Sequence, residues 1–171
     1  MIPHAAEEAR ADLTSSASTT SLPMRAGDAY FASDDRPIIL FDGVCNLCNG
    51  GVQFVLDFDT AGRTRFAALQ SDAGRALLER AGRSPDDISS IVLVERDRSS
   101  TKAEAVLRIG ALLDAPLPIL AVFFLNSPAG LFPAVYDVVY DTVAANRYTL
   151  FGRTTECRLS DPKHADRFVG A

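Results

Sequence analysis

The segment Ile38-Ile39-Leu40-Phe41-Asp42-Gly43-Val44-Cys45-Asn46-Leu47-Cys48 constrains the fold more than any other part of the chain. Its four leading apolar residues predict a short strand covered on both faces. The strand halts at an acid, turns on a glycine and delivers two cysteines separated by two residues. Beyond them Val52, Val55 and Leu56, with Phe54 and Phe58 on the flank, keep helical spacing as far as Asp59, and Gly62 stops the helix. Strand, tight loop and helix in that order put the first cysteine at a helix N-terminus, where unpaired amides and the helix dipole favour a thiolate. The second cysteine follows one helical turn later, within reach of a disulfide.

The rest of the chain alternates strand and helix. Arg63 to Ala68 is a weakly marked second strand. Ser71 or Asp72 caps a helix through Leu77, Leu78 and Ala81 that closes at Gly82. Ile88 to Val94 is the most clearly marked strand. A polar turn from Glu95 to Ser100, with room for a short strand, leads to a helix over Thr101 to Leu113 that turns Ala105, Leu107, Ile109 and Leu112 inward. That order predicts an α/β fold, a thioredoxin-like sandwich in which helices flank a small mixed sheet. Ala121 to Phe124 and Val135 to Val143 predict extra C-terminal helices before the stretch Asn146 to Arg153.

A chain of 171 residues, 47% apolar and 23% charged, suits one globular domain. We place that domain at residues 36–171. Residues 1–35 carry a Ser/Thr-rich patch and no sustained apolar period, as expected of a disordered or loosely packed extension. The extension has neither the basic start nor the apolar core of a secretory signal, and Glu7, Glu8 and Asp12 argue against a transit peptide. The most apolar run, Leu117 to Leu125, is about half a membrane span and reads as a buried helix or loop. A net charge of −5 leaves no basic footprint for nucleic acid. A cytoplasmic protein with no membrane span is the expectation.

The cysteine pair admits three readings. As a redox couple, Cys45 attacks a substrate disulfide and Cys48 displaces the product from the mixed disulfide. That chemistry needs no bound organic cofactor; it needs a disulfide or dithiol substrate and a cellular thiol reductant. As half of a metal site, Cys45 and Cys48 would join Cys157 and His164 around zinc, or hold an iron-sulfur cluster, in a non-catalytic binding module. As packing, the thiols are two small apolar residues. Asp42 is either an acid that relays a proton beside the pair or a cap for the turn. His4, in the extension, and His164, in a polar tail, read as solvated. The run Leu40-Phe41-Asp42-Gly43-Val44 also resembles the start of haloacid-dehalogenase-type phosphatases, but Leu40 stands at the nucleophile position and cannot do that chemistry.

Three stretches taken together carry a more specific resemblance. Asp42-Gly43-Val44-Cys45-Asn46-Leu47-Cys48, then Phe66-Ala67-Ala68-Leu69-Gln70-Ser71, then Asn146-Arg147-Tyr148-Thr149-Leu150-Phe151-Gly152-Arg153 followed by Cys157, resemble in order the motifs of the DCC family of thiol-disulfide oxidoreductases. The resemblance implies a thioredoxin-like fold and assigns the active site to Asp42, Cys45 and Cys48. Arg147 and Arg153 of the last motif either bring guanidinium charge beside Cys45 or lie over the core and cap helix ends. Cys157 is a structural thiol or a third redox partner. Thioredoxins proper place a proline before their third strand; here Ser90 precedes Ile91, which keeps the metal reading open.

Overall fold

Strand β1 (Ile38–Phe41) runs through the middle of the sheet with all four residues buried, as a strand that is apolar on both faces must. In this computed structural model, which describes residues 26–126, 131–154 and 162–170, it pairs in parallel with β2 (Arg65–Ala68), Ile39 opposite Phe66. On its other side it pairs antiparallel with β3 (Val92–Val94), Ile39 opposite Leu93, and β3 pairs antiparallel with β4 (Ser99–Thr101). The order β2-β1-β3-β4, flanked by helices, is a thioredoxin-like mixed sheet.

Alternation along the strands divides the core in two. Ile39, Phe41, Phe66 and Leu93 face Val52 and Val55 of α1 (Asn46–Phe58) and Ala105 and Ile109 of α3 (Lys102–Leu112). Ile38, Leu40, Val92 and Val94 face Leu77 and Leu78 of α2 (Asp72–Arg80). Each such side chain, fully withdrawn from water, contributes about 1.5–3 kcal/mol. Ser71 caps α2 by accepting from the Gly74 amide at 3.0 Å. Gly74 itself is dictated by contact, since a Cβ there would lie 2.0 Å from the Ala68 carbonyl oxygen.

The stretch before Pro37 is described from Ala26 onward and packs on the domain. A 3-10 turn over Ala26–Phe31 buries Phe31 in the second core, with the guanidinium groups of Arg65 and Arg80 over its ring at 5.4 and 4.8 Å.

Three elements differ from the sequence expectation. The strand expected over Ile88 to Val94 shrinks to Val92–Val94. β1 offers partners no further than Leu40, opposite Val92, and side chains of α5 (Leu131–Phe151) claim the backbone upstream: Tyr140 accepts from the Ile91 amide and Arg147 donates to the carbonyls of Ile88 and Ser89. The run Leu117–Leu125 is a helix, α4, but not a buried one: only Ala121 is buried, while Ile119 and Phe123 are 74% and 69% exposed. One face of α4 meets α3, and a helix apolar all round leaves its remaining residues in the open. Finally, α5 continues through Asn146 to Phe151 and breaks at Gly152, whose φ of +77° suits glycine.

The C-terminus is fastened by a buried ion pair. Arg167, on a 3-10 turn over Pro162–Arg167, donates to Asp59 Oδ2 at 2.6 Å and to the Thr64 carbonyl at 2.9 Å. Thr64 adds its own amide and hydroxyl to the same carboxylate oxygen. Removing one member strands a charge in the interior. An Arg167→Ala variant should therefore lose about 3–5 kcal/mol in urea unfolding; a loss below about 1 kcal/mol, the range of surface pairs, would show that water replaces the guanidinium.

Candidate active site

The loop between β1 and α1 is fixed mainly by Asp42, which is 2% exposed. Its Oδ1 accepts from the Val44 amide at 3.2 Å and from Gln70 Nε2 at 2.7 Å. Its Oδ2 accepts from Arg147 at 3.0 Å and from the Tyr148 hydroxyl. Gln70 completes the clamp by accepting from the Gly43 amide through Oε1 at 3.1 Å. A turn after β1, a residue at the end of β2 and the last turns of α5 are thus joined through one carboxylate.

Burial alone would raise the Asp42 carboxyl, but the hydrogen bonds from Tyr148, Gln70, the Val44 amide and Arg147 outweigh it and hold the group below its ordinary range. Asp42 is an ionised acceptor at neutral pH. The same contact raises Tyr148, first through burial and then because its hydroxyl donates to the carboxylate. The Arg147 guanidinium, raised by Tyr148 and Asp42 against the cost of burial, stays charged.

The two thiols lie just beyond this anchor. Cys45 is the N-cap residue of α1, fully buried, and its amide donates to the Asp42 carbonyl at 3.2 Å. Cys48, one turn on, is half-buried, and its thiol is hydrogen-bonded to that of Cys45. Burial pushes Cys48 up to about 12, and the neighbouring charge of Cys45 adds to the shift, while the Asp42 amide donates to the sulfur and opposes it. Cys48 therefore holds its proton across the physiological range.

A strap from the C-terminal end of α5 covers Cys45. Arg153 pairs with Cys45 as an isolated antiparallel bridge, the Thr154 amide donates to the Val44 carbonyl at 3.0 Å, and Asn46 Nδ2 donates to the Phe151 carbonyl at 2.9 Å. Cys48 borders two cavities instead. One, of about 510 Å³, is walled by apolar side chains of α1, α3 and α4; the other, of about 60 Å³, is lined by Asp42, Ser90 and Arg147 among others.

Of the residues singled out from the sequence, Asp42, Cys45, Cys48 and Arg147 come together here. Arg147 reaches Asp42, and the Arg153 guanidinium lies 4.0 Å from the centre of the Tyr148 ring, so the backbone of Arg153, bridged to Cys45, is its link to the dithiol. Cys157 lies outside the described residues. His164 sits half-exposed on the C-terminal 3-10 turn, and among the described residues no three His, Cys, Asp or Glu side chains converge to hold a metal. Gln70 and Tyr148 lay inside motifs that the sequence offered, yet their donation to Asp42 needs the fold. Tyr140 carries no sequence signal, and Ser90 is marked only by its place before Ile91, where thioredoxins have a proline.

Comparison with known proteins bears on this cluster directly. The family model described as DCC1-like thiol-disulfide oxidoreductase matches residues 39–153, a range that holds every side chain of the dithiol cluster. A chloroplastic DCC family protein of Arabidopsis thaliana is 58% identical over 131 residues, covering 77% of this chain and 74% of its own. The uncharacterized protein YuxK of Bacillus subtilis is 39% identical over 132 residues, covering 77% of this chain and 93% of its own. No solved structure matches the chain.

Two outcomes follow from the geometry. A carboxyl held below its unfolded value binds fewer protons in the folded state, so its contribution to stability is complete above about pH 4, the unfolded value, and fades as pH falls through the folded one. The stability gap between wild type and Asp42→Asn should accordingly be widest near neutrality and close in acid; a pH-independent gap would contradict an ionised Asp42. Asn46→Ala, which frees the strap from α1, should speed iodoacetamide labelling of Cys45 several-fold, whereas an unchanged rate would mean the strap does not shield that sulfur.

Proposed function

The chain belongs to the DCC1-like thiol-disulfide oxidoreductase family, and on that premise we propose that it cycles Cys45 and Cys48 between dithiol and disulfide. The observation that carries this reading is geometric: two thiols in contact at the start of α1, Cys45 as its N-cap and Cys48 one turn on. Cys45 is the N-cap residue of α1, at the helix end whose amides lack intrahelical partners, and we assign it the attack.

In the reducing direction the Cys45 thiolate forms a bond to one sulfur of a substrate disulfide, and the other sulfur leaves as a thiolate that takes up a proton. Cys48 gives up its proton and attacks Cys45, closing the intramolecular disulfide and releasing the second thiol. The protein dithiol loses two electrons and the substrate disulfide gains them. A cellular thiol reductant restores the dithiol, and the same steps reversed oxidise a dithiol substrate.

Asp42 acts in this scheme by position and field. Its amide steadies the Cys48 sulfur while its carboxylate charge helps keep that thiol protonated until attack is required. The stated direction of its own titration makes it a poor proton acceptor at neutral pH, so proton removal from Cys48 falls to solvent or to the departing thiolate.

Among the described residues no helix is long and apolar enough to cross a membrane. A reducing compartment suits a cycling dithiol, and we assign the protein to the cytoplasm; the plant relative is named chloroplastic, a setting in which the same chemistry would serve.

Trapping the intermediate tests the order of attack. With Cys48→Ala the cycle stops at the mixed disulfide, and peptide mass spectrometry after exposure to glutathione disulfide should find the adduct on Cys45. Adduct formation on Cys48 in a Cys45→Ala variant, with none on Cys45 in Cys48→Ala, would reverse the assignment.

A further inference from the structure

The larger cavity beside Cys48 has the size and surface of a small-molecule site. Its volume of about 510 Å³ falls inside the range of ligand pockets, about 300–1,000 Å³. Val52 and Val55 of α1, Ile109 of α3, and Leu117 and Phe124 of α4 form walls, and Phe66 of the sheet lies at its floor. Every lining residue is apolar except Cys48 and Tyr140, and the Tyr140 hydroxyl already accepts from the Ile91 amide. No charged side chain lines it, so a substrate that carries carboxylates and an ammonium, as glutathione does, finds no partner there.

A second, independent observation lies on the other side of Cys48. In the recess of about 60 Å³, Ser90 Oγ and Arg147 Nε are buried and have no hydrogen-bond partner among the described residues. Both are donors. The charge of Arg147 is already matched by Asp42 at 3.0 Å, so a neutral oxygen acceptor is the group that completes the recess. Cys48 therefore stands between an apolar chamber and a polar notch wide enough for an atom or two.

We propose that the chamber is the substrate site and that it selects a low-molecular-weight disulfide or thiol with an apolar body and an oxygen acceptor close to the sulfur. The inference rests on the thiol-disulfide reading above and specifies its substrate class. The apolar body enters between α1, α3 and α4, the acceptor oxygen meets Ser90 and Arg147, and the disulfide is brought to the thiol pair, where Cys45 makes the first attack and Cys48, which lines both cavities, resolves it. Electrons balance as in the cycle already described: the disulfide is reduced to two thiols as the protein dithiol closes.

Dialkyl esters of dithiodiglycolic acid provide the probe, because each sulfur is one carbon from an ester carbonyl and the alkyl group can be lengthened from methyl to hexyl. With reduced full-length protein, the second-order rate of oxidation should rise about two- to fourfold per methylene until the chamber is full. The hexyl ester should outpace glutathione disulfide by at least tenfold. Gly51 lines the chamber with open space where its Cβ would stand, and Gly51→Leu also favours the helix, so that variant should fold and shrink the methyl-to-hexyl gain to less than threefold. A rate independent of chain length in the wild type, or a gain untouched by Gly51→Leu, overturns the substrate class while leaving the redox reading in place. Failure of both the esters and glutathione disulfide to oxidise the pair overturns both.

Discussion

One buried carboxylate holds the site together. Asp42 ends the central strand and takes four hydrogen bonds, two on each oxygen, from a loop amide, from Gln70 after β2, and from Arg147 and Tyr148 near the end of α5. The donors come from three separate parts of the chain, so the position of the cysteine loop depends on α5 and the end of β2 closing over it. An ionised group so deeply buried is stable only because every lone-pair direction is used and a guanidinium offsets its charge. The dithiol sits one turn from this anchor and takes its orientation from it.

The surroundings of the two cysteines are asymmetric. Cys45 is sealed beneath Gly152 to Thr154 at the start of a helix, where the helix end favours negative charge. Cys48 is withdrawn from water against apolar walls and beside a negative neighbour, which keeps it a thiol. Of the two sulfurs, that of Cys48 is the one that borders the cavities. On that side the Ser90 hydroxyl and the Arg147 Nε are buried with no hydrogen-bond partner among the described residues.

The sequence made the scaffold legible wherever short-range physics decides it. The apolar run Ile38–Phe41, the cap at Ser71 and the glycine stop at Gly82 each need only propensity and periodicity, and they appear where expected, whereas α1 ends at its cap Asp59 and Gly62 turns the chain after it. The dithiol was legible from its spacing and its place between strand and helix. What the sequence could not show depends on contacts made at long range. Ile88 to Ile91 has strand composition, yet its amide and carbonyls are claimed by Tyr140 and Arg147 from some fifty or more residues away. The apolar character of α4 predicts burial, but its cover among the described residues comes mainly from α3, with Phe124 against Tyr136 of α5, and Ile119 and Phe123 stay exposed. For Arg147 the sequence leaves open a charge beside Cys45 or a place over the core; that it pairs with Asp42 follows from where α5 ends, which no local pattern encodes.

The central claim is that Cys45 and Cys48 form a two-electron couple. A redox titration of anaerobically purified protein in glutathione buffers, with free thiols mass-tagged and located by peptide mass spectrometry, tests it most directly. The account predicts a single two-electron transition in which Cys45 and Cys48 lose their tags together. If both thiols instead resist tagging until a chelator is added, the cysteines hold a metal and the oxidoreductase account is contradicted.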